Sequence, residues 1–181
     1  MKQLIFAAAI VLLPTLSLAE TCPTNKPVGR ALDKLHMQLL AAPTPQVAQV
    51  VTQALWQQWL KAPDGLAQDM LNTGMALRLE MDLAGADRAL TQLVEYCPDY
   101  AEGHNQRAFV RYLSGQFERA LPDLARAIAL RPRHLGALSG KGLTHMALGQ
   151  MDDARVEFAK VVALNPWSPE KQYLREPGEE L

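Results

Sequence analysis

The sequence predicts an all-α fold of stacked helix–turn–helix units, and three observations carry that expectation. Pro98, Pro132 and Pro166 stand 34 residues apart, the period of arrays of paired helices. Small residues recur at matching phases, with Gly74, Ala108 and Gly142 in one row and Ala86, Ala120 and Ala154 in another. Apolar residues make up 49% of the chain but aromatics only 6%, a balance that suits closely packed helices around one continuous core.

The 181 residues suit one compact domain or one short solenoid. The formal charge of −1 and pI near 6.4 give no basic excess. Nothing therefore points to nucleic acid or to an anionic membrane surface.

Residues 1–19 read as a secretory signal. Lys2 gives a positive start, Leu4 to Leu13 is an apolar run, and Ser17-Leu18-Ala19 offers small residues for cleavage after Ala19. The alternative is an uncleaved anchor, for which the run is short. Glu20 and Thr21 intervene before Cys22, which argues against lipidation. The signal implies a periplasmic or secreted protein without stable membrane insertion after cleavage. Residues 20–27 form a polar, proline-containing leader expected to be flexible.

Residues 28–63 predict a helix pair that caps the array. Leu32, Leu35, Leu39 and Leu40 mark the first helical stripe. Thr44 is placed to cap the second helix, with Pro45 at its first position. That helix runs to about Lys61 and carries Val47, Val50, Val51, Ala54 and Leu55 on one face. Trp56 and Trp59 are expected to cover the first repeat. Pro63-Asp64-Gly65 is the next break.

Residues 64–168 hold three units, Ala67–Tyr100, Ala101–His134 and Leu135–Ser168. Leu90, Leu124 and Phe158 align, as do Leu83, Phe117 and Met151. Gly115 and Gly149 match each other where the first unit has Met81. Each proline ends the second helix of its unit, because it lacks an N–H and clashes with the preceding turn. Residues 169–181 are a tail; Tyr173 and Leu174 in it, and Trp167 just before it, are expected to cover the last unit.

This pattern resembles the tetratricopeptide repeat from about Ala67 to Pro166. The resemblance implies a right-handed α-solenoid in which Gly74, Ala108 and Gly142 admit the second helix and Ala86, Ala120 and Ala154 accept it. Met70, His104 and Leu138 stand where the family often has a large aromatic, and Leu77, Arg111 and His145 where a tyrosine is usual. The layout with its secretion signal is similar to small exported repeat proteins of Gram-negative bacteria.

Such arrays bind peptides or helices on the inner surface of their first helices. Repeat position nominates Leu71, Met75 and Arg78 from the first unit, Asn105, Phe109 and Tyr112 from the second, and Ser139, Leu143 and Met146 from the third. This stripe either binds a partner or is covered by the N-terminal helices or the tail. The carboxylate clamp of chaperone-binding relatives is not expected, since Phe109 occupies its asparagine position.

Other groups leave alternatives open. Cys22 and Cys97 stand about 75 residues apart and either form a disulfide, which export permits, or remain two thiols. His104, Arg107 and Arg111 share a helical face that either binds phosphate or packs its long stems against carboxylates. Gly136 and Gly140, with Ser139, mark close helix contact or room for a ligand. Asp64, Asp152 and Asp153 suit helix starts. The four histidines show no metal-ligand spacing, and no cofactor is implied.

The reading is a non-catalytic periplasmic adaptor that binds a protein or peptide in its groove. The rivals are a structural protein that self-associates through Trp56, Trp59 or Trp167, and a thiol-dependent enzyme.

Overall fold

A computed structural model describes residues 21–23 and 29–174; the signal segment, most of the leader and the last seven residues lie outside them. Two helices come first, α1 (Gly29–Leu40) and α2 (Pro45–Trp59). Three helix pairs follow: α3 (Gly65–Leu79) with α4 (Leu83–Tyr96), α5 (Ala101–Leu113) with α6 (Phe117–Leu130), and α7 (Leu135–Ala147) with α8 (Met151–Leu164). A 3-10 helix, Pro169–Leu174, ends the described chain. All described elements are helical.

Local chemistry fixes the helix ends. Thr44 Oγ1 accepts the Val47 N–H at 3.3 Å, and Asp64 accepts the Ala67 N–H at 2.8 Å. Hydrogen bonds from the Ala67 backbone and the Tyr96 hydroxyl hold the Asp64 carboxyl below its ordinary range. Asp152 and Asp153 lie in the first turn of α8, where the helix dipole favours negative charge.

The turn inside each pair repeats one geometry. Asp82 N–H reaches Leu77 O, Gln116 reaches Arg111 O and Gln150 reaches His145 O, at 2.9, 2.8 and 2.9 Å. This is the paired bonding that ends a helix through one left-handed residue. Gly115 and Gly149 supply it with φ of 70° and 75°, and Met81 adopts 62° at the matching position. The connection between pairs repeats as well. Tyr100 N–H bonds Cys97 O, His134 bonds Arg131 O and Ser168 bonds Asn165 O. Each of these turns has Pro98, Pro132 or Pro166 second in line, where its fixed φ fits.

The small residues set the spacing within the pairs. A Cβ on Gly74 would lie 2.5 Å from Leu90 Cγ, and one on Gly142 would overlap the Phe158 ring. Ala86, Ala120 and Ala154 are fully buried. A tight crossing of this kind leaves no volume for a larger residue.

The N-terminal pair meets the first repeat only at its end, through Leu60, Ala62 and the Tyr100 hydroxyl, and turns its main core elsewhere, contrary to expectation. Leu39, Leu55 and Trp59 share a core with Leu135, Leu138 and Val161 of the third unit. The Trp56 ring occupies the space that a Cβ on Gly136 would need, 2.5 Å from its nearest atom. Tyr100 donates its hydroxyl to Trp59 O at 2.8 Å, and Trp167 donates its indole N–H to Ala42 O at 2.8 Å. Arg133 pairs with Asp33. The pair therefore lies along the side of the array, mainly against the third unit.

That placement also corrects the face of α2. Val47 and Val50 are exposed, while Ala48, Leu55 and Trp59 are buried. A helix packed from one side buries a single narrow stripe, and these three residues occupy it.

The cysteines are joined. Cys22 and Cys97 form a disulfide with Cα atoms 5.2 Å apart, so the leader is tied to the first unit at Cys22. Tyr173 stacks on Phe158 at 4.8 Å and covers the last unit as expected. Trp167 instead turns toward the N-terminal pair.

Candidate functional site

The helices α3, α5 and α7 place their inner faces side by side, and α2 adds a wall along one edge. Between them lies a cavity of about 410 Å³, within the range of ligand-binding clefts. Met75 and Arg78 line it from α3, Asn105, Phe109 and Tyr112 from α5, and Ser139 and Leu143 from α7. The structure thus brings together seven of the nine residues nominated by repeat position. Leu71 is absent from the lining because it is fully buried in the core of the first unit with Leu90. Met146 is half-buried and lies outside the lining.

Sequence reasoning missed Trp56, Leu60, Gln106 and Thr144, which also line the cavity. Trp56 and Leu60 enter because α2 docks on the third unit. The available signal was Gly136, a glycine in the first turn of α7 where a side chain is missing. Gly136 and Gly140 bear out the reading of close contact. Gly136 admits Trp56 and Gly140 admits Leu124, and both line the cavity.

The polar groups of the wall are few and mostly fixed. Glu102, buried on α5, accepts from Asn105 Nδ2 at 3.2 Å, Gln106 Nε2 at 2.6 Å and His134 Nε2 at 2.8 Å. His134 Nδ1 accepts the Ala137 N–H and so caps α7. Thr144 donates to Gly140 O at 2.7 Å, and Ser139 meets Glu170. Two buried groups of the wall remain open. Gln106 Oε1 and Arg78 Nε are buried without a hydrogen-bond partner. The Arg78 guanidinium lies over the Phe109 ring, 5.0 Å from its centroid, a favourable cation–π distance.

The basic cluster elsewhere on α5 resolves in favour of packing. Arg107 donates twice to Asp123, at 2.8 and 2.6 Å. Arg111 reaches Asp123 at 2.7 Å and Asp87 at 2.8 Å. His104 Nδ1 faces the same Asp123 carboxylate at 3.3 Å. Burial alone would raise the Asp123 carboxyl, but the hydrogen bonds from His104 and Arg107 and the arginine charges outweigh it and hold it low. The cluster fastens the second unit internally and to α4, and leaves no paired guanidinium for phosphate.

Among the described residues no group of three or more His, Cys, Asp or Glu side chains is placed to hold a metal ion. No described helix is long and apolar enough to cross a membrane.

Residues 111–175 match the tetratricopeptide repeat family. A tetratricopeptide repeat-containing protein of Rhizobium etli is 27% identical over 110 residues, covering 60% of this chain and 53% of the relative. Bovine tetratricopeptide repeat protein 36 is 33% identical over 102 residues, covering 53% of this chain and 54% of that protein. The chain thus spans about half the length of these relatives. Among solved structures, the first repeat domain of Spaghetti (RPAP3) bound to the HSP90 peptide SRMEEVD superposes with a TM-score of 0.59. It is 22% identical, with 61% of this chain and 88% of that one covered.

Proposed function

Because this chain is a tetratricopeptide-repeat protein, we propose that it is a non-catalytic adaptor holding a protein or peptide segment in its inner groove. The observation that carries this reading is the cavity of about 410 Å³ lined jointly by α3, α5 and α7. Its wall is rich in Met75, Phe109, Tyr112, Leu143 and Trp56, side chains that adapt to an apolar partner and bury large areas. The RPAP3 domain binds an HSP90 peptide, which supports the use of this kind of surface for peptides. The adaptor works in the periplasm on this reading. The signal-like first nineteen residues and the Cys22–Cys97 disulfide, a bond that persists in oxidising compartments, support that placement.

The rival readings lose ground. Trp59 is 2% exposed and Trp56 packs on Gly136, so self-association through them would require the hairpin to detach, while Trp167 stays 45% exposed. Cys22 and Cys97 are bonded to each other, which leaves thiol chemistry without a thiolate.

Crosslinking in the native envelope followed by mass spectrometry identifies the partner. Phe109→Ala and Tyr112→Ala should each weaken its capture by at least about tenfold, the scale of an interface hot spot, with helicity unchanged. Undiminished capture by both variants removes the groove from the function. Recovery of the chain in the cytoplasmic fraction removes the periplasmic placement.

A further inference from the structure

We infer that the groove selects a peptide segment carrying one acidic side chain among large apolar residues, with the carboxylate seated at Arg78. This rests on the adaptor reading and specifies what the adaptor holds. Of the fifteen residues lining the cavity, Arg78 alone carries a full charge. Its side chain forms no ion pair or hydrogen bond among the described residues, and its Nε is buried without an acceptor. Its guanidinium carbon lies over the Phe109 ring, 5.0 Å from the centroid, a contact that uses none of its N–H groups as hydrogen-bond donors to an oxygen. A guanidinium binds a carboxylate through parallel N–H donors.

Gln106 provides the independent observation. Its side chain lines the cavity and is 6% exposed. Its Nε2 is committed to the Glu102 carboxylate at 2.6 Å, and a carboxylate there requires the amide to present nitrogen. The Oε1 atom is thereby fixed as an acceptor, and it is buried without a donor. Unmatched groups of this kind in a groove wall cost free energy until a ligand supplies partners. A peptide supplies both, a carboxylate for Arg78 and an N–H for Gln106. A hydrocarbon chain supplies neither along its length. A basic residue at this point would face Arg78 without a counter-charge, and so is disfavoured. Arg78 stands near the end of α3, and its ring neighbour Phe109 replaces the asparagine of a terminal-carboxylate clamp with a side chain that offers no hydrogen bond.

The test is selection of a random dodecapeptide display library on the immobilised chain, in parallel with Arg78→Gln and Phe109→Ala. Peptides retained by the wild type should combine Asp or Glu with Leu, Phe, Met or Trp. Peptides retained by Arg78→Gln should keep the apolar residues and lose the acidic bias. Exchanging Glu for Gln in one synthetic selected peptide should weaken binding to the wild type about tenfold, and should leave binding to Arg78→Gln unchanged. Arg78→Lys retains the charge and should retain the acidic bias, which separates the charge from any loss of folding. An acidic bias that survives in Arg78→Gln, or peptides displaced by Phe109→Ala yet lacking acidic residues, overturns this inference and leaves the adaptor reading standing. Retention of no peptide by the wild type overturns both.

Discussion

His134 lies stacked on Trp59, with ring centroids 4.2 Å apart and planes 18° from parallel. His134 ends the second unit and caps the third, while Trp59 ends α2. The contact therefore joins the N-terminal hairpin to the seam between two repeats. Trp59→Ala should lower stability by about 3–5 kcal/mol, as expected for an aromatic removed from a packed core. Val50→Ala, on the exposed side of the same helix, should change it by less than about 0.5 kcal/mol. Urea denaturation of both variants measures the difference. Equal losses would mean that the hairpin is not anchored at Trp59.

The Cys22–Cys97 bond closes a loop spanning 75 residues. Replacing both cysteines by serine should cost on the order of 4 kcal/mol through restored freedom of the unfolded chain. The helix signal in circular dichroism should persist, because no described helix depends on the bond for its caps. An unchanged urea midpoint would show that the tether contributes nothing.

Met81 holds the left-handed conformation that Gly115 and Gly149 hold in the later units. A side chain in that region costs roughly 1–2 kcal/mol, which glycine avoids. Met81→Gly should raise the melting temperature by a few degrees, and Gly115→Met should lower it. Calorimetry checks both, and the same sign in the two variants would refute the assignment.

Asp123 gathers His104, Arg107 and Arg111, with Asp87 sharing Arg111. Its carboxyl is held below the ordinary value of 3.8. A depressed carboxyl contributes stability above its unfolded value and loses it as pH falls through the folded one. Asp123→Asn should therefore cost about 3 kcal/mol at neutral pH, since it leaves two partly buried guanidinium groups short of charge. Its deficit against the wild type should shrink below about pH 4. A deficit independent of pH would point to lost packing instead.

Gly142 faces the Phe158 ring with no space for a methyl group. Ala120 is buried to the same degree in the neighbouring unit. Ala120→Leu should overpack its crossing at a cost of about 1–3 kcal/mol. An unchanged melting temperature would place Ala120 outside that contact.

The repeats were legible because their determinants are local. Pro98, Gly115 and Ala120 each act within a few residues, and their phase repeats. The inner face followed from that phase for Met75, Phe109 and Leu143. It failed at Leu71, where the equivalent residues Asn105 and Ser139 line the cavity but an apolar side chain sinks into the core. The docking of α1 and α2 was not legible, because it joins residues such as Asp33 and Arg133 across 100 positions. Periodicity identifies a buried stripe and leaves its partner open, and Val47 and Val50 were assigned to the wrong side for that reason. The arginine pairing with Asp123 also depends on neighbouring helices, so spacing alone left it undecided.

The bond from Trp167 to Ala42 spans 125 positions and gives this array a different unfolding behaviour from an open one. A linear stack loses its terminal modules first, one after another, since each touches only its neighbours. Here the two extremities clasp, so neither can fray while the other stays in place. The whole assembly should then melt in one cooperative step. A nascent chain would also reach its final shape only after the last module has emerged.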